Sequence, residues 1–232
     1  MEKNPKEALK IRAVIFDLFE TLVDFSLEEY NQVLTAMAVR LGIAPDVFIS
    51  SWHSHWPRHE MGEFASTMEY IEAIAGPMPI GSDLTGAIAL HEEYQKQVLI
   101  PNPETIHVMK RLKQAGYRIG VVTNCPIETP VLWPGSPLSE WVDAAVFSTI
   151  ERVRKPNPAI FLSCLKRLGC VPSECIYIGD GANQELLAAS SLGMFSVQLK
   201  NGEKGKDAGI YQYPQMAHLS ELIYWAGIKT IP

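Results

Sequence analysis

Five short runs of mostly apolar residues most constrain how this chain can fold. They are apolar on both faces and too short for helices, which is typical of strands buried inside a parallel sheet. A buried strand needs cover on both of its faces, so the pattern predicts an α/β protein with helices on either side of a sheet. The runs occupy residues 11–16, 117–123, 144–147, 175–178 and 195–199.

Helical patterns fill the gaps between the later runs. Residues 103–115, 157–168 and 183–192 carry apolar side chains at helical spacing, and each pattern stops at a glycine. Strands that alternate with helices predict right-handed βαβ units, and therefore a doubly wound, Rossmann-like parallel sheet. We also expect a solvated loop over residues 200–209 and a short helix over residues 219–225 that closes the core.

The stretch between the first two runs is too long for one crossover helix. It reads as helical throughout, because Ser26 and Ser66 each stand three residues before a glutamate in a capping box. A further helix is expected over residues 83–98. We therefore predict a helical cap domain inserted into an α/β core. The predicted boundaries are residues 24–102 for the cap, and residues 1–23 and 103–232 for the core.

Charge and composition narrow the classes of function. The 232-residue chain has a net charge of −6 and is 47% hydrophobic, without a cluster of Lys and Arg. This argues against a nucleic-acid partner. No apolar run approaches the ~18 residues that a membrane span needs, and the charged start lacks the apolar segment of a signal peptide. We expect a cytoplasmic protein with a small-molecule substrate and no membrane partner; nothing in the sequence indicates its oligomeric state.

Polar side chains follow several of the predicted strands. Asp17 ends the first strand, Thr123 and Asn124 end the second, and Asp180 ends the fourth. Lys155 lies in the loop beyond the third strand. Ligands of open α/β sheets bind at the carboxyl ends of the strands, so these groups are expected to gather at one site.

This order of motifs resembles the haloacid dehalogenase superfamily, whose strands end in Asp, Ser or Thr, Lys and Asp. The resemblance covers the core from residue 11 to about residue 199. It implies that Asp17 is a nucleophile, that Thr123 donates a hydrogen bond to a substrate oxygen, and that Lys155 neutralises developing negative charge. Asn124, Phe19 and Arg58 are the expected substrate contacts.

The resemblance also implies a cofactor. Asp17, Asp180 and the backbone carbonyl of Phe19 would bind Mg²⁺, which prefers oxygen ligands. Glu185 would support the metal directly or through water. Each group has a plainer alternative: Asp180 could cap a helix, Thr123 could bond to backbone, Lys155 could be solvated, and Glu185 could face a helix dipole.

The chain departs from the phosphatases of this superfamily at one position. They usually have a second Asp two residues after the nucleophile, as general acid and base, whereas this chain has Phe19. Strand alternation predicts that the neighbouring Glu20 points away from the nucleophile. Dehalogenases of the superfamily have an aromatic residue at this position but lack the metal-binding Asp of the last motif, which is present here as Asp180.

The densest polar and aromatic cluster of the cap covers residues 52–59. Its three histidines, His53, His55 and His59, give only a weak metal signal, and a packed helical face is the better interpretation. Arg58 could meet a phosphate or carboxylate through its fork of donors.

These features predict a Mg²⁺-dependent phosphatase of a small phosphorylated metabolite, acting through an aspartyl-phosphate. The alternatives are a metal-free 2-haloacid dehalogenase and a weakly active binding protein. Without an acid near Phe19, the rate should depend steeply on the leaving group unless a cap residue or the substrate supplies the proton.

Overall fold

The computed structural model describes residues 11–200 and 213–225, and its centre is a six-stranded sheet. Every strand pairs in parallel with its neighbours, in the order β3-β2-β1-β4-β5-β6. The predicted doubly wound α/β fold is therefore confirmed. Most of the loop predicted over residues 200–209 lies outside the described residues. The strands are β1 (Ala13–Phe16), β2 (Arg118–Thr123), β3 (Ala144–Phe147), β4 (Cys175–Gly179), β5 (Phe195–Leu199) and β6 (Gln215–Met216).

The first strand lies at the centre of the sheet. Phe16, the last residue of β1, pairs with Val121 on one side and with Ile178 on the other. From β1 the chain winds outward to β3 in one direction and, after β4, to β6 in the other. Such a reversal opens a crevice at the carboxyl ends of the strands, which is where Asp17 follows β1.

Helices cover both faces of the sheet. On one face, side chains such as Met109 and Leu222 join the sheet in one apolar cluster; on the other, Phe161 and Leu186 contribute to a second. These side chains are fully or almost fully buried, so each face contributes hydrophobic stabilisation. The helices that cover the two faces of the core sheet include α5 (Pro103–Gln114), α8 (Pro158–Leu168), α9 (Glu185–Ser191) and α10 (Glu221–Trp225).

Four helices between β1 and α5 share an apolar cluster of their own, with Trp52 and Tyr70 among its fully buried members. The predicted caps are present, because the hydroxyls of Ser26 and Ser66 accept hydrogen bonds from the backbone N–H groups of Glu29 and Glu69. Treating residues 24–102 as a separate domain remains our interpretation. The helices are α1 (Leu27–Leu41), α2 (Pro45–Glu60), α3 (Thr67–Ala75) and α4 (Leu84–Val98).

The structure differs from the predicted elements in a few places. The helix expected over residues 183–192 begins only at Glu185, because Asn183 and Gln184 both adopt φ = 53°, which an α-helix cannot accommodate. Short elements lack the length for a clear apolar period and were not predicted, namely β6, α6 (Glu128–Leu132) and α7 (Ser148–Glu151).

In the described part of the chain, no single helix is long and apolar enough to cross a membrane; α1 and α2 reach that composition only together, across a 119° bend.

Candidate active site

Asp17 begins the site at the end of β1. Its backbone N–H extends the pairing with β4 by donating to the carbonyl of Ile178 at 2.8 Å, which holds the residue at the mouth of the crevice. The residue is 6% exposed, and its carboxylate lies 2.5 Å from the ammonium group of Lys155. Burial, assisted by the charge of Asp180, raises the pKa of Asp17, and Lys155 opposes that shift.

Lys155 is buried, with 1% of its surface exposed, and is not a solvated loop charge. Asn124 fixes its backbone from the end of β2: Asn124 Oδ1 accepts from the Lys155 N–H at 2.8 Å, and Asn124 Nδ2 donates to the Lys155 carbonyl at 3.3 Å. Desolvation disfavours the charge of Lys155, but the carboxylates of Asp17 and Glu185 outweigh it and raise its pKa. Lys155 is therefore a permanent cation between two acids.

Glu185 lies behind this pair and does not line the crevice. Its Oε2 accepts hydrogen bonds from Lys155 and, at 2.7 Å, from the hydroxyl of Tyr177, while Oε1 accepts from the N–H of Gly181 at 3.2 Å. Complete burial, and next the charge of Asp17, raise the pKa of Glu185 to about 8. The close approach requires a glycine at position 179, since a Cβ there would lie 2.0 Å from Glu185 Oε1.

The three acidic side chains form a group that suits a metal ion. Ligand oxygens of Asp17, Asp180 and Glu185 all lie within 4.8 Å of one another, and all three residues are buried. Three carboxylates meet one ammonium group here, so a divalent cation would relieve their mutual repulsion. The donor set consists of oxygen only, which suits a hard cation. Asp180 also accepts a hydrogen bond from the Ala182 N–H at 2.9 Å, so it caps the next turn as well.

Thr123 is fully buried, and its hydroxyl donates to the carbonyl oxygen of Asn124 at 3.2 Å. It does not line the crevice, whereas Asn124 does. The structure therefore brings Asp17, Asn124, Lys155 and Asp180 together, and leaves the catalytic role of Thr123 a prediction.

The crevice is a cavity of about 270 Å³ between the strand ends and the cap. Its floor carries the charged groups, and its wall is largely aromatic. Phe19 lines it, with its ring edge-on to Phe25 at 6.0 Å between centroids. The floor includes Asp17, Phe19, Glu20, Asn124, Lys155 and Asp180, and the wall includes Phe25, Tyr30, His53, Trp56, Glu60 and Gln95.

The predicted orientation of Glu20 is wrong, because Glu20 lines the cavity. Strand alternation ceases to apply after Phe16, where β1 ends. The chain then turns tightly, with Glu20 at φ = 58° and its N–H bonded to the carbonyl of Val23 at 2.9 Å. This turn places Glu20 among the residues that line the cavity together with Asp17.

Arg58 does not reach the cavity. It pairs with Glu63 at 2.7 Å and lies over the ring of Phe64, because its position on α2 faces the outer side of the cap. The cap histidines do not converge on a metal either, since they contact three different partners in the described structure. His53 bonds to Asn31, His55 to the carbonyl of Ser51, and His59 stacks on Tyr70.

The sequence analysis missed one phenolic group and one acidic group of the site, Tyr177 and Glu60. Tyr177 lies within an otherwise apolar strand, and only its tertiary contact with Glu185 reveals a role. Glu60, the last residue of α2, is 5% exposed and lines the cavity. Its position at the end of the polar and aromatic cluster over residues 52–59 was the available signal.

Two curated phosphatases are similar along most of the chain. Glyceraldehyde 3-phosphate phosphatase of Methanopyrus kandleri is 25% identical over 217 residues, covering 83% of this chain and 85% of that protein. Phosphoglycolate phosphatase of Shigella dysenteriae is 27% identical over 239 residues, covering 91% and 86%.

Solved structures share the whole fold. A HAD phosphatase from Thermococcus onnurineus superposes with a TM-score of 0.70 at 24% identity, covering 95% of this chain and 100% of that chain. The L-2-haloacid dehalogenase of Xanthobacter autotrophicus gives 0.66 at 18% identity, covering 95% and 100%. The sequence model of haloacid dehalogenase-like hydrolases matches residues 11–193. The chain is therefore a member of the haloacid dehalogenase-like hydrolase family.

Proposed function

We propose that this protein is a Mg²⁺-dependent phosphatase of a small phosphorylated metabolite, acting through an aspartyl-phosphate at Asp17. The observation that carries the proposal is the group of buried carboxylates formed by Asp17, Asp180 and Glu185. A site that displaces halide needs no such concentration of negative charge, whereas a metal ion that binds phosphate does.

The residues of the floor have separate roles in this mechanism. Asp17 attacks the phosphorus, and Lys155, 2.5 Å away, holds the attacking carboxylate and balances charge as it transfers. Asn124 fixes Lys155, while Thr123 shapes the end of β2 beside it. Mg²⁺, held by Asp17, Asp180 and the carbonyl of Phe19, would supply positive charge against the phosphoryl oxygens. Glu185 acts by anchoring Lys155 from behind.

The named activities of the relatives support the substrate class. Both curated relatives carry names of phosphatases that act on small three- and two-carbon phosphate esters. A cavity of about 270 Å³ between floor and wall suits a substrate of that size. Four free cysteines fit a reducing compartment such as the cytoplasm.

A haloacid dehalogenase is the second candidate, and Phe19 favours it. An aromatic residue at this position cannot donate a proton, which is no handicap when the leaving group is halide. The third candidate, a weakly active binding protein, would retain the cavity without turnover.

An activity screen separates the three. Purified protein would be incubated with nitrophenyl phosphate, glycerol 3-phosphate or 2-chloropropionate, each in the presence of either Mg²⁺ or a chelator. We expect phosphate release only with Mg²⁺, loss of that activity and of calorimetric Mg²⁺ binding in Asp180→Ala, and no change in Asp46→Ala, an exposed acid on α2. Chloride release in the presence of chelator would instead establish the dehalogenase, and no turnover of any substrate would favour the binding protein.

A further inference from the structure

A phosphatase must protonate the leaving alcohol and later deprotonate the attacking water. General acid–base help of this kind is worth about 10²–10⁴-fold in rate. The position that would carry the acid on the floor is Phe19, which can do neither. Both tasks therefore require a titratable group elsewhere in the cavity.

Glu60 is the group that the cap places there. It ends α2, lines the same cavity as Asp17, and is 5% exposed. Two contacts fix its carboxyl group: Trp56 Nε1 donates to Oε1 at 2.9 Å, and Arg154 lies 2.8 Å from Oε2. Arg154 is the chain neighbour of Lys155, so its ion pair holds the cap carboxyl group next to the floor.

Its environment also favours the protonated form. Burial raises the pKa of Glu60 by more than Arg154, Trp56 and Lys155 lower it, and Asp17 adds to the rise. Tyr70 of α3 and Cys125, which follows β2, are the other titratable neighbours. A raised pKa favours the protonated carboxyl group, which is the form that can donate a proton to a leaving oxygen.

The other titratable groups of the cavity are less well placed. Glu20 is only half-buried and lies on the tight turn after β1. His53 is half-buried as well, and its Nε2 lies 2.8 Å from Asn31 Oδ1. Burial lowers the pKa of His53, which disfavours the protonated imidazolium that would act as the acid.

We propose that Glu60 of the cap is the general acid and base of the phosphatase reaction, in place of the residue that Phe19 displaces. This inference rests on the proposed function. In the first step an Asp17 oxygen bonds to phosphorus, the P–O bond to the alcohol breaks, and the Glu60 proton moves to the alcohol oxygen. In the second, water attacks phosphorus, the bond to Asp17 breaks, and a water proton returns to Glu60, releasing phosphate.

Glu60→Gln tests the assignment, because the amide fills the same space and keeps an oxygen for Arg154 but cannot donate an acidic proton. The first turnover with glycerol 3-phosphate should slow by about 10²–10⁴-fold. The first turnover with nitrophenyl phosphate, whose leaving group departs as a stable anion, should slow by less than about tenfold. The phosphoenzyme should then accumulate, so nitrophenol should appear as a burst followed by a slow phase.

A second variant excludes a merely structural role. Trp56→Phe removes a donor that lowers the Glu60 pKa, so the alkaline limb of the rate profile should move to higher pH. Glu63→Gln, on the outer side of the cap, is the matched control and should behave like wild type.

Three outcomes would overturn the assignment. They are equal slowing of both substrates in Glu60→Gln, the leaving-group pattern in Glu20→Gln instead, or an unmoved pH limb in Trp56→Phe. In each of these three cases, the proposed phosphatase function would still be supported if the wild-type protein hydrolysed both esters. If wild type cleaves neither ester with Mg²⁺, both the assignment and the phosphatase function are overturned.

Discussion

Glu185 and Glu128 are both buried carboxyl groups, but the protein surrounds them with different chemistry. Glu185 lies behind the floor, in the same acidic group as Asp17 and Asp180, and its pKa is raised to about 8 by burial and by those acids. Glu128, on α6, faces the cap. Burial opposes its charge, but His91 and His59 outweigh that effect and lower its pKa to about 2.

The contacts of Glu128 explain this difference. Its Oε1 accepts from the hydroxyl of Thr67 and lies 3.5 Å from Nδ1 of His91, and Oε2 lies 4.0 Å from His59 Nε2. These three partners come from α3, α4 and α2 of the cap, whereas Glu128 belongs to the core. The surroundings of Glu185 therefore disfavour its charge unless a cation compensates it, whereas the surroundings of Glu128 favour its charge and use it to join the cap to the core.

The largest expected effect comes from Asp17→Asn. The amide can occupy the same volume but cannot attack phosphorus, so turnover should fall by at least about 10⁴-fold. The fold should survive, because Lys155 keeps its contact with Glu185. Steady-state kinetics and a thermal melt check both statements. A variant with near-normal rate would remove Asp17 from the role of nucleophile.

Phe19→Asp, built on the Glu60→Gln background, should restore a proton donor from the floor. The rate with glycerol 3-phosphate should recover a substantial part of the expected loss of about 10²–10⁴-fold, and the rate with nitrophenyl phosphate should change little. Phe19→Asn on the same background is the control for packing against Phe25. If Phe19→Asp and Phe19→Asn changed the rate with glycerol 3-phosphate equally, loss of a proton donor would not explain the slow rate of Glu60→Gln.

Glu128→Gln should act on stability. The folded pKa of Glu128 lies below its unfolded value of 4.5, so its contribution is present above that value and lost as pH falls towards about 2. The shift corresponds to roughly 3 kcal/mol. Urea unfolding at several pH values should show that the variant loses this amount at neutral pH, together with the acid-dependent slope below pH 4.5.

Glu72→Gln, an exposed acid on α3, serves as the matched control for that series and should keep the wild-type slope. If Glu128→Gln keeps the slope as well, Glu128 does not hold the cap through its charge.

The smallest effect is expected from Arg58→Gln. The guanidinium is about half exposed, pairs with Glu63 and lies outside the cavity, and such surface pairs contribute about 0–1 kcal/mol. The catalytic efficiency kcat/KM should stay within about twofold of wild type. A rise in KM of tenfold or more would show that Arg58 turns into the cavity when substrate binds.

Local patterns predicted the parts of this molecule that depend on nearby residues. The bounds of β3 and β5 agree with the predicted runs, because buried strands carry a continuous apolar signal. The gathering of Asp17, Asn124, Lys155 and Asp180 was also predictable, since parallel strands bring their carboxyl ends to one edge.

The remaining features depend on contacts between distant residues. Asn124 fixes Lys155 across 31 positions, and the partners of Glu128 lie on three separate helices. Glu60 reaches the site only because of how α2 sits over the sheet, which no local period encodes. The error at Glu20 arose from extending strand alternation past the end of β1 into a turn.

Trapping the covalent intermediate tests the central claim most directly. Wild-type protein and Asp17→Asn would be mixed with nitrophenyl phosphate and Mg²⁺, quenched in acid within the first turnover, and mapped by peptide mass spectrometry. We predict a phosphoryl adduct on Asp17 of the wild type, none in Asp17→Asn, and a longer-lived adduct in Glu60→Gln. The account would be contradicted by a phosphoryl group on another residue. It would also be contradicted if both wild type and Glu60→Gln hydrolysed the ester but neither showed an adduct at any time point.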